Sequence, residues 1–363
     1  MFRSLAAAAL SLLALSAPTY AQTLEEMAGQ MIVVGFRGNE LSDKGVQGIV
    51  ADMAAGRIGG VMYLQRNVKS LDAAQRINSA LRSVAPQGLP PLIALDQEGG
   101  AVERLTKKVG FKEIPSARDV ARTKSPAEAR ALYGEMAQGM ANVGFTVNFG
   151  PVTDLDINPA NEVITKHGRS YGSSPETVAS YAGAFIDAHH AAGMITSLKH
   201  FPGHGSSTGD SHDGFVDITG TWRPAEIEPY RILIGNGYAD IVMVGHLYHA
   251  DYSGSGSKEP ATLSSQWIDG VLRSELGFKG LVISDDLGMA AIRELHNRRE
   301  SIILAVNAGT DLLLFLTTDK DTVAMAGEIQ KILIAEAEAD PAFRARIEAS
   351  YARIKATKAR IGG

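Results

Sequence analysis

The sequence predicts an α/β fold of the (β/α)8 TIM-barrel type, built as a single domain. Short apolar runs alternate with amphipathic helical stretches, and continuous apolar runs indicate strands buried on both faces, as in a parallel sheet. The chain has 363 residues, a length that suits one barrel with extended loops. An open doubly wound sheet is the alternative, and it is disfavoured because no Gly-x-Gly-x-x-Gly turn follows an early strand.

About seven strands are predicted, and several of them lead directly into polar or turn-forming residues. In chain order the predicted strands are Ile58–Leu64, Pro91–Leu95, Phe145–Phe149, Met194–Leu198, Ile241–Val244, Gly280–Ile283 and Leu312–Leu316. The carboxyl ends of parallel strands meet at one face of an α/β fold, which is where active sites are built. We therefore expect the polar residues that follow these strands to share one site.

Helices are predicted between the strands and at the end of the chain. Apolar residues recur at helical spacing in Asp72–Leu81, Pro126–Val143 and Thr177–Ala192. The stretch from Asp321 to Ile361 is rich in Ala, Glu, Lys and Arg, and it predicts helices that pack on the outside of the barrel.

The N-terminus has the pattern of a secretory signal peptide. Arg3 precedes an apolar run from Leu5 to Ala17, and small residues lie at the expected cleavage site before Gln22. The apolar run is too short to span a bilayer. We expect residues 1–21 to be a signal peptide and residues 22–363 to be the barrel domain. The protein is then exported, periplasmic or secreted, with no stable membrane insertion after cleavage.

Composition narrows the classes of partner. The net charge is −5, and no basic stripe with interleaved aromatic residues is present, so nucleic acid is not an expected partner. The chain has no Cys, which excludes disulfide bonds and thiolate chemistry. No cofactor is expected.

The segment after the strand Met194–Leu198 has the highest density of chemically active side chains. Pro202 and the glycines exclude a helix there. Asp210 lies two residues before His212, and an Asp beside a His can hold the imidazole tautomer and raise its basicity, which makes a proton-transfer pair. The residues Gly205–Gly209, which precede Asp210, suggest a flexible loop that can swing over a substrate. The full segment reads Lys199-His200-Phe201-Pro202-Gly203-His204-Gly205, followed by Asp210-Ser211-His212.

Other strand ends add a carboxylate and several hydrogen-bond donors. Asp285 and Asp286 follow Gly280–Ile283, and the sequence pattern does not choose between them. The remaining candidates together describe a pocket for a polar ligand with many hydroxyl groups. They are Asp96, Arg104, Arg169, Lys199 and His200.

A metal site is not expected. The spacing of His200 and His204 suits metal ligation on a helix, which Pro202 and Gly203 argue against. A metal-dependent barrel hydrolase with His200, His246 and Asp285 is the alternative. It lacks a His-x-His at an early strand.

These motifs resemble glycoside hydrolase family 3 β-N-acetylglucosaminidases over roughly residues 25 to 320. The Lys199–Gly205 string with Asp210-Ser211-His212 is similar to the family signature, although Ser206-Ser207 stands where the family often has Asp-Thr. The other similar segments, in chain order, are Asp96-Gln97-Glu98-Gly99-Gly100 with Arg104, Gly168-Arg169-Ser170-Tyr171-Gly172 with Tyr171 in place of Phe, and Ser284-Asp285-Asp286-Leu287-Gly288-Met289.

The resemblance implies a single barrel that removes terminal β-linked N-acetylglucosamine from peptidoglycan or chitin fragments. It implies that Asp285 is the nucleophile of a retaining reaction and that His212, oriented by Asp210, is the acid/base. The sugar-binding residues implied are Asp96, Arg104, Arg169, Lys199 and His200. Three alternatives remain: a phosphate-dependent phosphorylase, a β-glucosidase of the same family, and a non-catalytic sugar-binding protein.

Overall fold

Eight parallel strands form the centre of the computed structural model, which describes residues 22–211, 213–237, 240–254, 258–316 and 322–362. Two further short strands, β6 and β8, pair with each other outside this sheet. In chain order the strands are β1 Ile32–Gly35, β2 Gly60–Tyr63, β3 Leu92–Leu95, β4 Val147–Asn148, β5 Ile195–Phe201, β6 Val216–Asp217, β7 Ile241–Val244, β8 Leu247–Tyr248, β9 Leu281–Ser284 and β10 Leu313–Phe315.

The sheet closes into a barrel. Its strand order is β10-β1-β2-β3-β4-β5-β7-β9, and a parallel bridge between Ile283 and Leu312 joins its two ends. The predicted (β/α)8 barrel is therefore confirmed, but the count of about seven strands was one short. The strand β1 was missed because its apolar residues follow the first helix after a single residue, Met31, so no turn separates the two patterns.

Helices cover the outside of the barrel. The α-helices are α1 Leu24–Gln30, α2 Lys44–Ala54, α3 Leu71–Val84, α4 Ala117–Thr123, α5 Pro126–Val143, α6 Pro175–Ala191, α7 Glu228–Gly235, α8 Ala290–Arg293, α9 Arg298–Ala308, α10 Thr322–Ala339 and α11 Pro341–Lys358. A π-helix spans Gln266–Glu275. No helix in the described part of the chain has the length and apolar character needed to cross a membrane.

Local sequence explains the bounds of α5, which match the prediction. The hydroxyl of Ser125 accepts a hydrogen bond from the Glu128 amide at 3.3 Å, and the Glu128 carboxylate accepts one from the Ser125 amide at 2.8 Å. Pro126 occupies the first helical position, where its missing N–H costs nothing. Gly144 ends the helix at φ +96°, a conformation that favours glycine.

Candidate active site

A cavity of about 500 Å³ opens at the carboxyl ends of the barrel strands. Polar and charged side chains from several strand ends meet around it, as the sequence predicted. Those that line it are Asp96, Glu98, Arg104, Arg169, Lys199, His200, His204, Ser211, Asp285, Asp286 and Arg293. Apolar residues, including Met62, Leu64 and Leu314, complete the wall.

Asp96 joins two of the predicted donors. One carboxylate oxygen of Asp96 lies 2.8 Å from Lys199 Nζ, and the other lies 2.7 Å from an Arg104 guanidinium nitrogen. Burial raises the pKa of the Asp96 carboxyl, but the charges of Lys199 and Arg104 outweigh burial and hold that pKa well below its usual range. Asp96 is therefore a carboxylate at neutral pH.

Glu98 is a site residue that the sequence analysis did not single out. Its carboxylate binds Arg169 through two hydrogen bonds of 2.8 Å and contacts Lys199 Nζ at 2.6 Å. Burial opposes ionisation, yet Arg169 and Lys199 lower the pKa of Glu98 to about 2. The sequence did contain a signal for Glu98. Residues two apart in an extended segment face the same side, so Glu98 could have been placed beside Asp96.

Lys199 and His200 both line the cavity although they are consecutive in β5. In a regular strand, consecutive side chains point to opposite faces. The pairing of β5 with β7 shifts register between Leu198 and Phe201, and this irregularity lets both side chains reach the same space. The Lys199–His200 peptide bond is cis.

Asp154, which follows β4, holds His200 from behind. The Asp154 side chain is fully buried and accepts a hydrogen bond from His200 Nδ1 at 2.8 Å. It also accepts one from the His204 backbone amide at 2.8 Å. Asp154 lies in the turn-forming segment that follows the predicted strand Phe145–Phe149, so its position after a strand was the available signal.

Asp285 and Asp286 both line the cavity at the end of β9, with different surroundings. The Asp286 carboxylate accepts hydrogen bonds from the backbone amides of Gly288 at 2.8 Å and Leu316 at 2.9 Å. One Asp285 oxygen accepts a hydrogen bond from the Asp286 amide at 2.8 Å. Asp286 is 6% exposed, whereas Asp285 is partly exposed.

The segment that leads to the predicted acid/base pair is anchored in its first half. Gly205, Ser206 and Ser207 are buried, and Asn161 donates hydrogen bonds to the His204 carbonyl at 2.8 Å and the Ser207 hydroxyl at 3.0 Å. The predicted loop Gly205–Gly209 therefore begins with three buried residues, the last of which is hydrogen-bonded to Asn161.

The second half of this segment approaches the cavity. Thr208 and Gly209 are exposed, Asp210 is half-buried, and Ser211 lines the cavity. Asp210 itself is not among the lining residues. His212, the predicted acid/base, lies outside the described residues.

His204, which follows His200 in the same segment, is buried against the Ser207 hydroxyl. His204 is 2% exposed, and its Nδ1 lies 2.5 Å from the Ser207 hydroxyl. Burial and the nearby His200 lower the pKa of His204 to about 4, so His204 is neutral at neutral pH. In the described ranges, no group of three or more His, Asp or Glu side chains is arranged to hold a metal ion.

Similarity to known proteins agrees with this site. The chain is 36% identical over 318 residues to the β-hexosaminidase LpqI of Mycobacterium tuberculosis, covering 84% of this chain and 76% of the relative. It is 34% identical over 293 residues to a β-hexosaminidase of Stenotrophomonas maltophilia, covering 78% and 82%.

Solved structures and a family model extend the similarity to the whole barrel. The fold matches the β-N-acetylhexosaminidase of Beutenbergia cavernae with a TM-score of 0.83 and 30% identity, over 93% of this chain and 99% of that one. The model of the glycosyl hydrolase family 3 N-terminal domain matches residues 23–356. The chain therefore belongs to glycosyl hydrolase family 3 and is a glycoside hydrolase, in agreement with the acidic and basic groups around the cavity at the carboxyl end of its barrel.

Proposed function

We propose that the protein is an exported, retaining exo-β-N-acetylglucosaminidase that removes terminal β-linked N-acetylglucosamine from cell-wall fragments. The observation that carries this is the lining of one cavity by Asp285 together with Asp96, Arg169 and Lys199. Relatives that are 34–36% identical are named β-hexosaminidases, and the Beutenbergia protein is named a β-N-acetylhexosaminidase.

The inner end of the cavity suits an uncharged, hydroxyl-rich sugar. Arg104, Arg169 and Lys199 each pair with Asp96 or Glu98, so each of these cations has a carboxylate partner before any ligand enters. A carboxylate has about four acceptor positions. Asp96 and Glu98 therefore keep positions that can accept hydrogen bonds from sugar hydroxyl groups. Together with His200, these residues bind the terminal sugar.

Asp285 is the proposed nucleophile. Asp286 is the competing residue, but its carboxylate accepts hydrogen bonds from the Gly288 amide, two residues further on, and from the Leu316 amide at the end of β10. The greater exposure of Asp285 also favours attack on a bound sugar.

The reaction proceeds in two displacements. An Asp285 oxygen forms a bond to the anomeric carbon while the bond from that carbon to the aglycone oxygen breaks. Protonated His212 donates its proton to the departing oxygen. Neutral His212 then takes a proton from water, the water oxygen bonds to the anomeric carbon, and the bond to Asp285 breaks.

Asp210 orients His212, so Asp210→Asn should lower kcat and shift the pH–rate profile. An unshifted profile would contradict that orienting role.

The first test measures release of p-nitrophenol from its β-N-acetylglucosaminide, with and without phosphate. Turnover without phosphate is expected. Asp285→Ala should lower kcat on the order of 10⁴-fold, because the covalent intermediate cannot form. Asp286→Asn serves as the comparison, and a larger loss there would assign the nucleophile to Asp286 instead.

The same assay decides between the alternative functions. Turnover that requires phosphate would indicate a phosphorylase, and sugar binding without turnover would indicate a binding protein. Faster release from the β-glucoside would indicate a β-glucosidase.

Arg293 favours a cell-wall fragment over a chitin fragment. It is exposed at the end of α8 and lines the same cavity as Asp285. It forms no ion pair with any residue in the described part of the chain. An uncompensated guanidinium at the mouth of the cavity suits an aglycone that bears a carboxylate, such as the lactyl group of N-acetylmuramic acid.

A matched pair of disaccharides tests the aglycone. N-acetylglucosamine β-1,4-linked to N-acetylmuramic acid differs from chitobiose by the lactyl carboxylate. The wild-type kcat/KM should be higher for the muramic acid disaccharide, and Arg293→Gln should remove about 10-fold of that preference, since a hydrogen bond to a charged group contributes about 1.5–3 kcal/mol. Arg298→Gln is the control, because Arg298 pairs with Glu328 and does not line the cavity. Equal wild-type values would favour chitin fragments as substrates.

Export rests on residues 1–21, which lie outside the described residues. The intact mass of the protein recovered after secretion should correspond to a chain that begins at Gln22. A mass that includes Met1 would contradict cleavage.

A further inference from the structure

Asp154 is a buried residue whose carboxylate accepts hydrogen bonds from the segment that carries His200. One of its oxygens accepts hydrogen bonds from His200 Nδ1 at 2.8 Å and from the His200 amide at 3.2 Å. The other accepts from the His204 amide at 2.8 Å. Asp154 is 1% exposed and is not among the residues that line the cavity, so it acts on a ligand only through its neighbours.

The contact with His200 determines which ring nitrogen carries the proton. Burial raises the pKa of Asp154, but His200 and its hydrogen bond outweigh burial and lower it, so Asp154 is ionised. An ionised carboxylate only accepts hydrogen bonds, so His200 Nδ1 must carry a proton. In a neutral ring, Nε2 is then a hydrogen-bond acceptor.

The opposite side of the His200 ring is directed toward the cavity. His200 lines the cavity, and its Nε2 lies 3.5 Å from an Arg169 guanidinium nitrogen. That nitrogen already donates to Glu98 at 2.8 Å. A guanidinium nitrogen only donates hydrogen bonds, so an unprotonated, accepting Nε2 is the form of His200 that suits this contact.

We propose that Asp154 is a positioning residue that holds His200 in the Nδ1–H tautomer, so that Nε2 accepts a hydrogen bond from a hydroxyl group of the bound sugar. The identity of the ligand as a sugar rests on the proposed function. The tautomer of His200 does not, because it follows from contacts within the protein.

The direct test is the ¹⁵N NMR spectrum of the His200 ring in the ligand-free wild-type protein, assigned by comparison with His200→Gln. The expected spectrum has a protonated Nδ1 and an unprotonated Nε2 at pH 7. The reverse tautomer would overturn the assignment. This measurement requires no substitution at Asp154 and does not depend on catalytic activity.

Asp154→Asn then tests the consequence for catalysis. The amide oxygen of Asn can still accept from the His204 amide, while its nitrogen donates toward His200 Nδ1 and favours the wrong tautomer. We expect kcat/KM for the p-nitrophenyl substrate to fall on the order of 100-fold, by analogy with orienting partners elsewhere. The matched control is Asp156→Asn, because Asp156 binds Arg118 and Thr165 and does not line the cavity.

A double-substitution cycle separates positioning from general damage to the fold. If Asp154 acts through His200, Asp154→Asn should cause less than about a threefold further loss of kcat/KM in a His200→Ala background. An undiminished loss there, or wild-type kcat/KM in Asp154→Asn alone, would overturn the inference. If the wild-type protein releases no p-nitrophenol, the proposed function fails while the NMR result still decides the tautomer.

Discussion

The two ends of the barrel both bury charged side chains, but these side chains contact different kinds of partner. At the carboxyl end, the Asp96 oxygens contact Lys199 and Arg104, which are side chains that line a cavity. At the amino end, Asp240 and Asp311 precede β7 and β10 and bind the backbone of neighbouring strands.

The carboxylates at the amino end use their hydrogen-bond acceptor positions on other groups of the protein. Asp240 accepts hydrogen bonds from the Thr196 amide at 3.0 Å and from the side chains of His190 and Arg360 at 2.7 Å each. Asp311 similarly accepts from the Val282 amide at 2.8 Å and pairs with Arg273 and Arg353. These groups therefore join strand starts to the helices around them.

A buried ion pair is thus not in itself a sign of an active site. The carboxyl-end network differs because its members surround an open volume and keep hydrogen-bonding capacity directed toward it. The amino-end network uses its capacity on amides and on helix side chains. Charge changes at the two ends should separate activity from stability.

Among the changes that compare the two ends, Glu98→Gln at the carboxyl end should have the largest effect. The neutral amide weakens the contacts that hold Arg169 and Lys199 in place, so these side chains are no longer fixed as hydrogen-bond donors to the sugar. We expect kcat/KM for the p-nitrophenyl substrate to fall about 10³-fold. Glu135→Gln, which removes an exposed pair with Lys112, is the control. A loss below about threefold in Glu98→Gln would mean that this network does not bind the substrate.

Asp240→Asn is the corresponding change at the amino end. It leaves Arg360 without its carboxylate and weakens the contact to the Thr196 amide, so the free energy of unfolding should fall by about 3 kcal/mol. The kcat/KM should stay within about twofold of wild type. Urea unfolding and steady-state kinetics measure the two quantities. Asp72→Asn, an exposed residue paired with Arg76, should change neither. Loss of kcat/KM with unchanged stability would contradict the distinction between the two ends.

The smallest expected effect concerns Lys358 of α11. Its Nζ lies 2.6 Å from the Gln30 side-chain oxygen and 2.7 Å from the Gly59 carbonyl, and burial lowers the pKa of Lys358 to about 7. Between pH 7 and the ordinary lysine pKa, the unfolded chain binds more protons than the folded protein. This group therefore makes stability rise with pH, by about 1 kcal/mol per pH unit.

Lys358→Met should remove this pH-dependent contribution while leaving kcat/KM unchanged. The free energy of unfolding of each protein, measured from pH 7 to pH 9, provides the comparison. Lys355→Met is the control, since Lys355 is exposed on the same helix. Equal pH slopes in wild type and Lys358→Met would show that Lys358 stays charged in the folded protein.

The sequence by itself determined the barrel and most of the candidate site. Alternating apolar runs and amphipathic stretches predicted the (β/α)8 fold. A strand buried on both faces is a continuous apolar run, whereas a helix buried on one face has apolar residues at helical spacing. Strand-end positions predicted that Asp96, Lys199, His200 and Asp285 would share one cavity, because parallel strands bring their carboxyl ends together.

Only the tertiary structure decided how these side chains are paired. The Glu98–Arg169 pair joins residues 71 apart in the chain, and the Asp154–His200 contact joins residues 46 apart. The register shift in β5 that turns both Lys199 and His200 into the cavity is likewise a property of its pairing with β7. Local sequence patterns indicate which face of an element a residue occupies and where a strand ends. They do not indicate which side chain from another strand contacts that residue, because this depends on the closure and stagger of the whole barrel.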